Sequence, residues 1–231
     1  MRDPDRSDEP RRLPLSKRRA FVQRHTRLRD VDGIPGVRLH LADAVEPVWH
    51  AVEEALGIDG APIPFWAFAW AGGQALARHI LDDPELVAGR AVLDLATGSG
   101  LVAVAAARAG ARVVTANDID PLSLAAAQAN AEANGVRIQT VEDDLLEIGY
   151  PDADVILAGD VFYSREMGGR VLPFLRKAAG RGALVLVGDP GRAYLPTDGL
   201  VLRQTYDVPV VESLESVPER RTSVWQVFTS R

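Results

Sequence analysis

The 231-residue chain is 47% hydrophobic and 25% charged, with a net charge of −6 and no cysteine. That composition is ordinary for a soluble globular protein, and no apolar run reaches the ~20 residues of a bilayer-spanning helix. The missing thiols exclude disulfides, thiolate catalysis and cysteine metal sites, and make a reducing, cytoplasmic setting the expectation.

Charge is unevenly spread. Residues 1–29 hold ten Arg and Lys against four Asp and Glu, about +6, which leaves about −12 for the remainder. Residues 1–20 read as a solvated, disordered basic tail that carries Arg2, Arg6, Arg11, Arg12, Lys17, Arg18 and Arg19. No apolar stretch follows these charges as in a signal peptide, and Asp3, Asp5, Asp8 and Glu9 are unlike a transit peptide. "FVQRHTRL" (21–28) opens a short helix, and "VRLHLA" (37–42) alternates as a strand. "AVEPVWHAVEEALG" (44–57) is amphipathic, with Val45, Val48, Trp49, Val52, Ala55 and Leu56 on one stripe and Gly57 as its stop. "APIPFWAFAWAGG" (61–73) is an aromatic loop, followed by a helix over 72–81.

A regular alternation follows. Strands are expected at 91–95, 112–116, 137–141, 154–158 and 183–188, with helices at 100–109, 121–134 and 165–178. Strands separated by helices imply parallel βαβ units with right-handed crossovers. After Gly188 the rhythm changes. Residues 200–208 and 222–230 alternate as strands with only a loop between them, which predicts a closing antiparallel pair. The predicted organisation is a basic tail over 1–20, a segment over 21–90 that packs on and completes a site, and an α/β core over 91–231.

"TGSGLVA" (97–103) joins the first core strand to a helix as a loose G-x-G-x-x-A, and Asp118 lies 20 residues after Gly98. Glycines there let the backbone approach a ligand, and an acid at the end of the next strand accepts ribose hydroxyls. Alone, the pattern fits a dinucleotide or another adenosine ligand. Three features favour S-adenosylmethionine (SAM). Asp94, before the glycines, suits a cationic ligand and would repel a pyrophosphate. The turn comes only after a substantial N-terminal segment. The closing strand pair is one that SAM methyltransferases use. Ser99 is not a nucleophile elbow, because Thr97 stands where that motif needs glycine.

"LDLATGSG", "ANDIDPLSLAAAQANAEANGV" and "GDVFY" resemble a class I seven-stranded methyltransferase, a Rossmann-like, mostly parallel sheet with a C-terminal antiparallel strand. The aromatic "FWAFAWAGGQALAR" (65–78), "DVFY" (160–163), "VGDPGR" (187–192) and "SVWQVF" (223–228) narrow this resemblance to the lysine methyltransferases of the electron transfer flavoprotein β subunit. It covers about residues 20–231 and departs at Ala96, where many class I enzymes have a glycine. The resemblance implies that SAM, leaving as S-adenosylhomocysteine (SAH), is held by Asp94, Gly98, Gly100, the ribose acid Asp118, Asp144 near the adenine amine, and the Trp70 wall with Gln74 nearby. Asp143 is the alternative to Asp144. It implies that Asp160 and Tyr163 line the place where the target amine meets the sulfonium.

Asp120, before Pro121, reads as a helix N-cap. Trp66 and Phe68 read equally as core or site. Asp189, Pro190 and Arg192 read equally as a substrate loop or a helix cap, and Trp225 reads as core. His25, His40, His50 and His79 lack metal spacing, so no metal is expected. The expected partner is a lysine-bearing protein met by a monomer, with no membrane and no nucleic acid. Two other readings share the scaffold: a small-molecule, nicotinamide-like N-methyltransferase, and a methyltransferase of ribosomal protein L11, which "NDIDPLSLAAAQANAEANGV" also resembles.

Overall fold

In the computed structural model, residues 13–149, 153–210 and 217–229 are described. Helix α1 (Leu15–His25) comes first, then a hairpin of β1 (Arg27–Asp30) and β2 (Arg38–Leu41), antiparallel with Arg27 opposite Leu41. The tail expected over 1–20 therefore ends early, because α1 takes in residues 15–20; residues 1–12 lie outside the described part. Tertiary partners explain the helix. Arg18 is 9% exposed, donates from Nε to Leu13 O at 3.0 Å and pairs with Glu142 at 3.2 Å, while Arg19 pairs with Glu132 at 2.6 Å.

Helix α2 (Val45–Leu56), a 3-10 turn (Phe65–Ala67) and helix α3 (Ala71–Asp82) complete the N-terminal segment. Val22, Val48, Val52, Trp66 and Phe68 share one apolar cluster with Leu122 and Ala126, so this segment is packed onto the following part by a continuous core. Trp66 and Phe68 are fully buried in this core, and Trp66 also borders the cavity described below, whereas Phe68 does not.

The alternation expected after residue 90 is present: β3 (Ala91–Leu95), α4 (Leu101–Arg108), β4 (Val113–Asn117), α5 (Pro121–Ala133), β5 (Gln139–Val141), α6 (Leu145–Ile148), β6 (Val155–Gly159), α7 (Arg165–Gly180), β7 (Leu184–Asp189), β8 (Leu200–Pro209) and β9 (Glu219–Val227). The sheet order is β5-β4-β3-β6-β7-β9-β8, with β9 antiparallel to both neighbours and the β3 to β7 pairings parallel. This is the arrangement that the resemblance to class I methyltransferases implies, a mostly parallel sheet closed by an antiparallel strand. The central strands are buried along nearly their whole length, as apolar runs covered on both faces by helices must be.

Small residues bring the layers close. A Cβ on Gly72 of α3 would sit 2.1 Å from Gly188 O and 2.6 Å from Asp160 Oδ2. The first turn of α3 therefore lies directly on the ends of β6 and β7. The chain leaves β3 for β4 and β5, then crosses back to β6 and β7. The strand order reverses between β3 and β6, where α/β sheets open a crevice at the carboxyl ends.

Candidate active site

A cavity of about 780 Å³ opens at that reversal point. It is lined by the turn after β3, the ends of β4 and β6, and Asp144, together with Pro62–Phe65 and Trp70 of the N-terminal segment. Among the described residues, no helix is long and apolar enough to cross a membrane, and no group of His, Asp and Glu could hold a metal ion.

One half of the cavity is ringed by acids. Asp94 is 1% exposed at the end of β3, where Oδ2 accepts Thr97 Oγ1 at 2.5 Å and Ala103 N–H at 3.0 Å. Burial pushes its pKa up to about 7. Asp118 receives Gly98 N–H on Oδ2 and Asp120 N–H on Oδ1, both at 3.0 Å, so it clamps the glycine turn to the β4 loop. Burial raises its pKa as well. Asp120 caps α5 by accepting Leu122 N–H at 2.8 Å, as its place before Pro121 implied. Asp144 caps α6 through Leu146 N–H at 3.1 Å and pairs with Arg170 at 2.5 Å. Asn117 donates to the carbonyls of Val141 and Asp143, which sets the register of that loop and leaves Asp144, not Asp143, on the cavity.

Gly98 lines the cavity, and Gly100 lies two residues further on, at the start of α4 and outside the lining. It precedes α4 at φ +78°, and a Cβ there would meet Ala127 Cα at 2.6 Å. Its smallness serves the close approach of α4 to α5.

The other half is built on Asp160, which follows β6 at φ +56°. Its Oδ2 accepts Gly73 N–H at 3.1 Å, and its Oδ1 accepts Arg192 Nη2 at 2.8 Å and Nε at 3.3 Å. Burial pushes its pKa up to about 6, against the pull of Arg192. Tyr163 is 47% exposed at the rim, its ring 5.4 Å from Phe65. Phe65 in turn lies 5.4 Å from Trp70, whose Nε1 donates to Phe65 O at 2.9 Å. Gln74 points elsewhere, donating to Ala69 O and Pro209 O.

The family model described as ribosomal protein L11 methyltransferase (PrmA) matches residues 76–160. The Xenopus laevis electron transfer flavoprotein beta subunit lysine methyltransferase is 36% identical over 187 residues, 80% of this chain and 75% of that protein. The chain belongs to that family. The Danio rerio member is 38% identical over 172 residues, 71% of this chain and 66% of that protein. The Homo sapiens member is 39% identical over 131 residues, 56% of this chain and 50% of that protein, so the match spans only half of the human protein. Among solved structures, the SAH complex of SMU.776 has a TM-score of 0.54 at 17% identity, covering 88% of this chain and 56% of that chain. The Pyrococcus abyssi tRNA (uracil-54, C5)-methyltransferase with SAH has a TM-score of 0.50 at 16% identity, covering 65% and 38%. At these identities the likeness is one of fold. Family and fold together make the chain a SAM-dependent methyltransferase.

The cavity suits that cofactor. Asp94, Asp118 and Asp144 offer acceptors to a cationic, hydroxyl-bearing ligand, and Ile119, 65% exposed beside Asp118, offers an apolar face to a flat base. Trp70, Asp94, Gly98, Asp118, Asp144, Asp160 and Tyr163 all line one cavity. Sequence reasoning missed Ile119, Arg170 and the pairing of Arg192 with Asp160. Ile119 could have been found, because an apolar residue two positions after the end of β4 has no core strand left to serve. The two arginines could not, since their partners lie 26 and 32 residues away.

Proposed function

We propose that this family member methylates lysine side chains of the electron transfer flavoprotein β subunit, in a cytoplasmic setting and as a monomer. The name of the 36%-identical relative supports the substrate, and the absence of cysteine fits a reducing compartment. Residues 91–231 form the SAM-binding core, and 21–90 complete the site. Asp94 and Gly98 hold the methionine part of the cofactor, Asp118 the ribose, Ile119 and Asp144 the adenine side, and Trp70 the wall. Bound SAM supplies an electrophilic methyl group on a sulfonium.

The chain's work is positioning and desolvation, because such a donor needs no covalent nucleophile. The acceptor lysine is the obstacle. Its amine has an unperturbed pKa near 10.4, and only the neutral form has a lone pair. Asp160, almost buried, accepts an N–H of the amine and aims its lone pair, while Tyr163 and Phe65 form the aromatic rim past which the side chain enters. The observation that carries the reading is this convergence of one buried, oriented carboxylate and an aromatic rim with an acid-lined cofactor cavity.

The match to the ribosomal protein L11 methyltransferase family ends at Asp160, so it covers the cofactor half and stops where acceptor residues begin. The test is incubation with SAM and the purified β subunit, followed by peptide mass spectrometry. Methyl groups on lysine support the proposal; methyl transfer only to small molecules of a cell extract overturns it in favour of the small-molecule reading.

A further inference from the structure

A carboxylate beside an acceptor amine orients it, but also favours its ammonium form. Unopposed, Asp160 would retain the proton whose loss frees the lone pair. The structure pairs Asp160 within the chain itself. Arg192 reaches Oδ1 through both Nη2 and Nε. Arg192 is in turn aimed by Asp189, buried at the end of β7, whose Oδ1 accepts the N–H groups of Gly191 and Arg192 at 2.7 Å each. That turn uses "GDPGR" as a backbone bracket for one guanidinium. The side chains of Arg192 and Asp160 are 22% and 11% exposed, dry enough for their charges to count.

We propose that Arg192 is a positioning residue of the methyl transfer: it cancels the charge of Asp160, so that the carboxylate directs the acceptor amine without retaining its proton. The inference rests on the lysine-methyltransferase reading above. The released proton passes to water at the open rim beside Tyr163. The charged groups facing this end are few. Asp160 follows β6, Asp189 ends β7 and Arg192 comes three residues later; Asp118 follows β4, and Glu166 and Arg170 on α7 act on Tyr163. Helix α3 presents only backbone N–H in its first turn, with no acidic side chain there. Arg192 is the cation that touches Asp160 directly.

The test compares the wild-type chain with Arg192→Met, Arg192→Gln and Arg192→Lys. Turnover on the β subunit is followed from about pH 6 to 10 at saturating SAM. Removing the charge should move the acid limb of the kcat profile alkaline by at least about one pH unit, a roughly tenfold loss at pH 7 that recovers at high pH. Arg192→Lys should keep the wild-type limb at a reduced rate. Independently of turnover, carbon NMR should show the Asp160 pKa rising in Arg192→Met and Arg192→Gln, with SAM affinity by calorimetry unchanged. A rate lowered by one factor at every pH, or an Asp160 pKa that does not move, overturns the inference alone. A wild-type chain with no turnover on the β subunit at any pH overturns the functional reading, and this inference falls with it.

Discussion

Among the described residues, two that are not glycine hold left-handed backbone, Ala96 at φ +55° and Asp160 at φ +56°, and they directly follow the two strands that flank the reversal point. Strain of that kind persists where the surroundings impose it, commonly at functional sites. At Ala96 it costs ~1–2 kcal/mol, and glycine would relieve it while losing ~0.5–1 kcal/mol to greater unfolded-state freedom. Ala96→Gly should therefore be neutral to stabilising by up to ~1.5 kcal/mol, read as a higher denaturant midpoint at constant slope. Asp160→Asn keeps the shape and tolerates the same backbone. It should cut turnover at least ~100-fold while SAM affinity stays within a few-fold, measured by initial rates and calorimetry. Asp160 itself was readable, because "DVFY" follows an apolar strand; its guanidinium partner was not, because the pairing exists only once β6 and β7 lie side by side.

At the scale of elements, α3 offers an internal control. Gly72 and Gly73 are neighbours in one helical turn, yet a Cβ on Gly72 would overlap Gly188 O, whereas the nearest atom to one on Gly73 is Val102 Cγ2 at 3.8 Å. Gly72→Ala should destabilise by ~3 kcal/mol or more, since the clash is with backbone that cannot yield. Gly73→Ala should be neutral or stabilising by up to ~1 kcal/mol. Thermal melts of the two variants check the contrast. The start of α3 was legible to within a residue, but the reason glycine stands there was not, because the opposing atoms come from strands more than eighty residues on. Helix α1 reads as tail because Lys17, Arg18 and Arg19 look solvated in sequence; the anchors of Arg18 and Arg19, Glu142 and Glu132, lie over a hundred residues away. Strand β1 has no apolar signal of its own and depends on pairing with β2. Four-residue α6 is too short for a helical period to show.

For the whole molecule, buried acids set the pH response. Asp94 is pushed up to about 7, and Asp120 and Asp160 to about 6, all by burial. Unfolded aspartates titrate near 3.9. Between about pH 4 and 7 the folded chain therefore binds more protons than the unfolded chain, and these groups make stability fall as pH rises. Their contribution is complete below about pH 4 and gone above about pH 7. His25, His40 and His79, lowered chiefly by burial, act in the opposite sense. The melting temperature should accordingly be higher at pH 5 than at pH 8. A cationic ligand beside Asp94 favours its ionised form, so SAM binding should release protons and tighten as pH rises through 7; calorimetry in buffers of different ionisation enthalpy measures this. The overall architecture was the most legible level, because strand–helix alternation and the change of rhythm after Gly188 are long-range patterns carried by many residues.

The most direct measurement is a crystal structure of the chain with SAH. The account predicts its sulfur in the cavity between Asp94 and Asp160, its ribose on Asp118, its adenine against Ile119 and Asp144, and the Asp160 carboxylate facing the side from which a lysine would enter. A ligand bound elsewhere, or one whose sulfur is walled off from Asp160, would contradict it.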